Sequence, residues 1–133
     1  KPSAQTDALP SDLPRDWTNL EDGSTVNVRV DGDYVYEQGA FSGDGKYVKE
    51  STYICEMKRQ GDRWVGKCRY RALLVWASAI TQNWCNIALD ETITLINRSR
   101  IEGESQEAQP ASSPQVCPQP GSSRSRFALI PKY

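Results

Sequence analysis

YICEMKRQGDRWVGKCRY, residues 53–70, holds two of the chain's four cysteines and decides the fold. A two-residue hairpin turn at Gly61-Asp62 places Cys55 directly opposite Cys68, at a non-hydrogen-bonded pair where the Cα atoms approach to about 4.5 Å. That separation lies at the short end of the range for disulfides, so we expect a bridge across the hairpin. The inner face of this hairpin then carries Tyr53, Cys55, Met57, Trp64, Cys68 and Tyr70, and the outer face carries Glu56, Lys58, Lys67, Arg69 and Arg71.

The two remaining cysteines, Cys85 and Cys117, are expected to form a second disulfide, although four cysteines allow three connectivities. The gaps of 12, 16 and 31 residues between successive cysteines do not match the paired Cys-x₂₋₄-Cys hooks of a zinc site. No Cys-x-x-Cys redox motif occurs. An even number of cysteines in a strand-rich chain is typical of an oxidising compartment. We therefore expect a secreted, periplasmic or cell-surface protein from which a signal peptide has been removed.

Short alternating segments separated by turn residues predict an all-β fold. Seven to nine such strands indicate a single antiparallel barrel or sandwich, stapled by the disulfides. The predicted strands are 25–30, 34–38, 47–59, 63–76, 84–89, 92–97, 100–105 and 127–131. The predicted organisation is an extended Pro-rich N-terminal tail at 1–16 and a β-domain at 17–133, which includes a Pro/Ser-rich loop at 109–126.

The turn DGD (31–33) between the first two predicted strands allows two registers. A two-residue turn at Asp31-Gly32 sets Val28 opposite Val35, whereas a three-residue loop sets Val28 opposite Tyr36. The second register is preferred because it groups the valines with Tyr34 and Tyr36 on one face.

The chain has no histidine, which removes the commonest general base, the commonest zinc ligand and every Ser-His or Cys-His pair. Most carboxylates, including Asp90-Glu91, are interpreted as turn residues, and we expect neither a metal nor a cofactor. A pair of acids can hydrolyse glycosides, so a carboxylate-pair hydrolase is a further alternative, but the sequence places no two acids in one cleft and we predict a protein that is not an enzyme. The acids considered for such a pair are Glu37, Glu56, Glu102 and Glu104.

Four tryptophans and six tyrosines are many for a chain of 133 residues. In a small barrel they either fill the core or line a ligand cavity, and the sequence leaves both interpretations open. The candidates for a ligand or partner surface are Trp17, Tyr34, Tyr36, Trp64, Tyr70, Trp76 and Trp84.

Two functions follow as predictions. The first is a non-catalytic structural subunit or protein-binding module that assembles through the Pro-rich tail, which could add a strand to a neighbouring sheet. Charge asymmetry favours it, because residues 1–50 carry 5 basic and 10 acidic side chains while residues 51–100 carry 8 and 4. The alternative is a carrier of a small apolar or aromatic ligand. In the arrangement of its strands the chain resembles small secreted barrels of the lipocalin and avidin kind, a calycin-like architecture that implies an internal cavity.

Nucleic acid and membrane are not expected as partners. The net charge of −1 provides no basic surface field for nucleic acid, and the longest apolar run, ALLVWASAI (72–80), is shorter than the about 18 residues of a membrane span. Asn97 in NRS (97–99) is a formal N-glycosylation acceptor and matters only for a eukaryotic source.

Overall fold

A computed structural model describes residues 13–40, 47–49 and 52–132. These residues form antiparallel strands and no helix, which confirms the predicted all-β class. Within them, no helix has the length and apolar character needed to cross a membrane. The strands are β1 (Asp16–Asn19), β2 (Thr25–Asp31), β3 (Tyr34–Ala40), β4 (Tyr47–Lys49), β5 (Thr52–Gln60), β6 (Arg63–Trp76), β7 (Ala79–Asn97), β8 (Arg100–Gln109) and β9 (Gln119–Pro131).

Eight of these strands close into a ring, so the fold is a barrel rather than a sandwich. The order around the ring is β1-β2-β3-β5-β6-β7-β8-β9, and β9 pairs again with β1. The ring closes at Trp17, which pairs with Val26 on one side and with Pro131 on the other. Among the described residues, the short β4 pairs with β6 alone, on the part of β6 that lies beyond the first residues of β5. Closure removes the exposed sheet edges that a sandwich would have to protect.

The β5–β6 hairpin has the register expected from its turn. Gly61 adopts a φ of +69°, a conformation that glycine tolerates and that a two-residue hairpin turn requires. Cys55 lies opposite Cys68, and the two form a disulfide with a Cα–Cα distance of 3.9 Å. The second predicted disulfide, Cys85–Cys117, is also present. Both bridges are compatible with an extracellular or otherwise oxidising compartment.

Both registers predicted for the β2–β3 hairpin are wrong. The turn is Gly32-Asp33, with Gly32 at a φ of +61°, so the pairing slips by one residue from the preferred register. Val28 therefore lies opposite Glu37, and Glu37 faces the inside of the barrel while Tyr34 and Tyr36 face outward. The physical reason is that glycine at the first position of a two-residue turn is strongly favoured. This preference outweighs the grouping of aromatic side chains.

Two segments predicted as turn or loop belong to strands. Asp90 and Glu91 lie within β7, which is a continuous strand of 19 residues. β9 begins at Gln119, so the Pro/Ser-rich loop predicted at 109–126 covers only residues 110–118. The first half of β9 is exposed on both faces and therefore lacks the apolar alternation by which a half-buried strand is recognised.

The main core fills the barrel at the end where the Gly32-Asp33 and Gly61-Asp62 turns lie. Leu13, from the predicted tail, belongs to this core, and Trp17 donates its indole N–H to the carbonyl of Pro14 at 2.7 Å. Residues 13–16 thus pack on their own barrel, while the rest of the predicted tail lies outside the described residues. The core side chains include Trp17, Val26, Val28, Val35, Met57, Trp64, Ile93, Ile101 and Leu129.

A second, smaller cluster stabilises the part of the β6–β7 hairpin that extends beyond the barrel. Its buried members are Ala72, Leu74, Cys85 and Ile87, with Ala111 and Cys117 packed against them. Loop 110–118 lies over this cluster and is tied down by the Cys85–Cys117 bridge.

Replacing both Cys55 and Cys68 by alanine is expected to lower the free energy of unfolding by about 3 kcal/mol, because the bridge closes a loop of about 14 residues. Urea denaturation followed by circular dichroism measures this change. The Cys85→Ala/Cys117→Ala variant, which opens a longer loop, should lose about 3.7 kcal/mol. An unfolding free energy for the Cys55→Ala/Cys68→Ala variant within about 0.5 kcal/mol of the parent value would contradict the role assigned to this bridge.

Candidate ligand-binding site

A cavity of about 260 Å³ occupies the end of the barrel opposite the two Gly-Asp turns. The loop between β1 and β2 contributes Asn19, Asp22 and Ser24 to this end. The walls are largely aromatic and apolar, and the carboxyls of Glu37 and Glu91 lie at the boundary between the cavity and the core. The wall side chains are Val26, Tyr53, Tyr70, Leu89, Phe127 and Leu129.

Glu37 is carried into the barrel by the alternation of β3. It lies two residues after the fully buried Val35 and opposite Val28 on β2 and Cys55 on β5. Because directly paired residues share one face of a sheet, its side chain points to the same interior as these neighbours. Only 2 % of Glu37 is exposed.

Glu91 reaches the same interior from β7. It is 5 % exposed and lies opposite Gly66 on β6 and Ser105 on β8. A Cβ atom at Gly66 would collide with the carbonyl oxygen of Glu56, so this position accepts no side chain without a shift of the backbone. The carboxyl of Glu91 therefore lies opposite a β6 position that carries no side chain.

The two carboxyl groups meet in the barrel interior. Glu37 and Glu91 are in hydrogen-bond contact through their side chains, and the Ser105 hydroxyl donates to Glu91 Oε1 at 3.0 Å. The Oε2 atom of each glutamate is buried and has no hydrogen-bond partner among the described residues. Burying an acceptor that receives no hydrogen bond ordinarily lowers the free energy of unfolding.

Burial determines the protonation of this pair. It raises the pKa of Glu37 well above its ordinary range, and the charge of Glu91 and the hydrogen bond to it raise that pKa further. Burial also raises the pKa of Glu91, while the hydrogen bonds from Glu37 and Ser105 favour the charged form and lower it. The pair therefore favours holding one shared proton, because two like charges in contact cannot both be desolvated.

Tyr53 is a neutral hydrogen-bonding group beside this pair. Burial raises the pKa of its phenol above the ordinary value, and the negative charges of Glu37, Glu91 and Asp22 raise it further. Its ring lies against Gly39 on β3, where a Cβ atom would come within 2.6 Å of the Tyr53 hydroxyl oxygen. Gly39 therefore leaves the space in which this ring is held against the cavity.

The sulfur atoms of Cys55 and Cys68 lie within 4.8 Å of a Glu91 carboxylate oxygen, the one group of three potential metal ligands among the described residues. Both sulfurs are bonded to each other, so neither offers the thiolate that a metal requires. This cluster does not form a metal centre in the oxidised protein.

The aromatic residues proposed from the sequence separate into three groups. Tyr70 lines the cavity, as a ligand site requires. Trp17 and Trp64 are buried in the main core, so for them the core interpretation is correct and the surface interpretation is wrong. Trp76 and Trp84 lie exposed on the extended part of the β6–β7 hairpin, away from the cavity.

Tyr34 and Tyr36 also lie outside the cavity. Their rings are 6.3 Å apart on the outer surface of β3, with the guanidinium of Arg29 4.3 Å from the Tyr36 ring centroid and the amine of Lys58 5.9 Å from that of Tyr34. They were expected to share a face with the valines of β2, and the shifted β2–β3 register places them on the other face. Their role as a partner surface stays a prediction.

The acid pair is the feature that the sequence analysis missed. Glu37 was considered with Glu56, Glu102 and Glu104, but these three lie on the outer faces of their strands. Glu91 was interpreted as a turn residue. Searches of protein-family models, curated proteins and solved structures find no match to the chain, so the site is interpreted from its own geometry.

The free energy of unfolding is expected to fall as pH rises above the ordinary glutamate pKa of about 4.3. The unfolded chain releases the Glu37 proton near that value, whereas the folded chain holds it to a higher pH because the pKa of Glu37 is raised. The folded state then binds more protons, and stability decreases with a slope of up to about 1.4 kcal/mol per pH unit for one proton.

Urea denaturation between about pH 5 and pH 8 measures this dependence. Glu37→Gln should flatten the slope because glutamine does not titrate, while Glu107→Gln, on an exposed position of β8, should leave it unchanged. Equal slopes for the parent chain and the Glu37→Gln variant would show that Glu37 does not hold this proton.

Proposed function

We propose that the chain binds a small molecule in the cavity at the end of its barrel and serves as a carrier or sensor rather than as an enzyme. The observation that carries this proposal is the cavity itself, whose lining includes the two buried acids Glu37 and Glu91. Concave sites with apolar walls and a few convergent polar groups are typical of ligand-binding sites.

The cavity size restricts the occupant. Pockets for drug-sized ligands span about 300–1,000 Å³, and the volume here, about 260 Å³, is slightly smaller. Since a water molecule occupies about 30 Å³ in the liquid, the space corresponds to about nine waters or a molecule of roughly ten non-hydrogen atoms. The expected ligand is a compact molecule with one or two polar groups.

The energetic cost of the acid pair also supports a binding role. A barrel stabilised only by packing would place apolar side chains at Glu37 and Glu91, since buried acids that lack partners reduce stability. Groups of this kind, in a cavity and with raised pKa values, are candidates for functional residues.

A hydrolase built on two carboxylates fits the geometry less well. Retaining glycosidases separate their carboxyls by about 5–5.5 Å and inverting ones by about 6.5–9.5 Å, whereas Glu37 and Glu91 are in direct hydrogen-bond contact. Acid dyads in contact can activate water in proteases. Here, however, the cavity ends on the packed core, so an extended peptide could not cross the pair.

Assembly through the N-terminal tail stays a separate prediction. The part of that tail nearest the barrel packs on its own chain through Leu13, and residues 1–12 lie outside the described residues. The two disulfides support a secreted, periplasmic or cell-surface location for a binding protein of this kind.

A fragment screen by ligand-observed NMR tests the proposal. Compounds of about ten non-hydrogen atoms should bind the parent chain and lose binding in Leu89→Trp, where the larger ring fills the cavity. Ala88→Trp is the matched control, because Ala88 pairs with Arg69 on the outer face of the same barrel wall. A screen in which no fragment distinguishes the parent chain from Leu89→Trp would contradict binding in this cavity.

A further inference from the structure

We infer that the cavity is selective for a small organic cation, a protonated amine on a compact apolar group, whose ammonium is held between Glu37 and Glu91. This inference rests on the proposed function and specifies the chemical class of its ligand. Four observations carry it: the sign of the charge around the cavity, the two unpartnered oxygens, the chemistry of the walls and the poor fit to a metal ion.

The cavity is acidic. Asp22, Glu37 and Glu91 line it, and the described lining residues include no lysine or arginine. The Asp90 carboxylate turns away, because its Oδ1 contacts Lys67 Nζ at 2.6 Å and its Oδ2 lies 3.9 Å from Arg124 Nη2 on the outer surface. Among the described lining residues, an anionic ligand would therefore meet negative charge and no positive partner.

The unpartnered oxygens need hydrogen-bond donors. Glu37 Oε2 and Glu91 Oε2 are acceptors on side chains that are more than nine-tenths buried. Both acids line the cavity, and an ammonium there brings three N–H donors and one positive charge, so it can donate to this pair and neutralise its single charge. A neutral alcohol brings one donor and no charge, so it leaves the charge of the pair uncompensated.

The walls suit the apolar part of such a molecule. Tyr53, Tyr70 and Phe127 present aromatic rings to the cavity, and Leu89 and Leu129 fill the space between them. Aromatic faces attract cations, so the rings favour an amine over a neutral ligand of the same shape.

A divalent metal ion fits this site less well than an amine. Calcium takes six to eight oxygen ligands and magnesium a near-octahedral set. Among the described residues no third carboxylate joins Glu37 and Glu91 within ligand distance, since the one group of three potential ligands includes two disulfide sulfurs.

Isothermal titration calorimetry with benzylamine, benzyl alcohol and benzoate measures how the charge of the ligand affects its affinity. The three probes all carry one phenyl ring, so they differ mainly in charge. Near neutral pH the parent chain should bind benzylamine about tenfold or more tightly than benzyl alcohol, and benzoate more weakly than either. The Glu37→Gln/Glu91→Gln variant should lose about tenfold in affinity for benzylamine and keep its affinity for benzyl alcohol.

The Glu102→Gln variant is the control for overall charge, because it removes one negative charge from the outer face of β8, as Glu37→Gln/Glu91→Gln removes the single charge of the proton-sharing pair. It should bind benzylamine like the parent chain. Circular dichroism establishes that each variant is folded. The single Glu91→Gln variant provides a second measurement if the double variant unfolds, and it should also weaken benzylamine, because Glu37 alone favours the neutral form.

Distinct results separate the inference from the proposed function. If benzyl alcohol binds as tightly as benzylamine, and Leu89→Trp abolishes both, the cavity binds ligands but the cation selectivity is wrong. If benzylamine does not bind the parent chain, or if the control variant loses as much affinity as Glu37→Gln/Glu91→Gln, the inference is overturned. Displacement of benzylamine by calcium chloride, at constant ionic strength, would identify a metal site instead.

Discussion

The pairing of Cys55 with Cys68 across the β5–β6 hairpin is the constraint on which the rest of the barrel depends. Because side chains alternate along a strand, a bridge at one position assigns every residue of both strands to the inside or the outside. Glu37 on β3 lies directly opposite Cys55, and Leu89 on β7 lies directly opposite Cys68, so the four residues form one row across the sheet. The bridge therefore determines which side chains of four neighbouring strands face the interior. A shift of the β3 pairing by one residue would turn Glu37 out to solvent.

The interior that results is divided along the barrel axis. At the end with the Gly-Asp turns, the core packs around Trp17 and closes the ring between β1 and β9. At the other end the side chains leave a cavity, and Glu37 and Glu91 lie at the boundary. The packed half and the disulfides provide the stability that allows two acids to be buried beside a cavity. This division of one barrel into a packed half and a half with a cavity is the basis of the proposed function.

Much of the fold could be predicted from the sequence because its strongest signals are local. Gly61-Asp62 defines one hairpin, and the same dipeptide at Gly32-Asp33 defines the β2–β3 register in the same way. Grouping the valines with the tyrosines predicts a different register, because apolar residues are expected inside. That expectation fails where a polar residue is buried for a reason other than packing, as Glu37 is.

The site itself could not be predicted, since it depends on contacts between distant strands. Glu37 and Glu91 are 54 positions apart in the sequence, and each resembles an ordinary exposed acid in its local context. Asp90-Glu91 also resembles a turn, and only the continuation of β7 through it places Glu91 inside. The number of aromatic residues does not predict where each one lies. Trp17 lies in the core, Trp76 on the surface and Tyr70 in the cavity.

The central claim is that two glutamates share a proton inside the barrel, and the most direct measurement is an NMR titration of the protein labelled with ¹³C at its glutamate carboxyl carbons. The account predicts that, of eight glutamates in the chain, one carboxyl keeps the chemical shift of the protonated form near neutral pH. That resonance should be absent from Glu37→Gln and should remain in Glu107→Gln. If all eight carboxyls ionise near the ordinary glutamate pKa of about 4.3, the buried acid pair does not exist, and the binding site built on it is wrong.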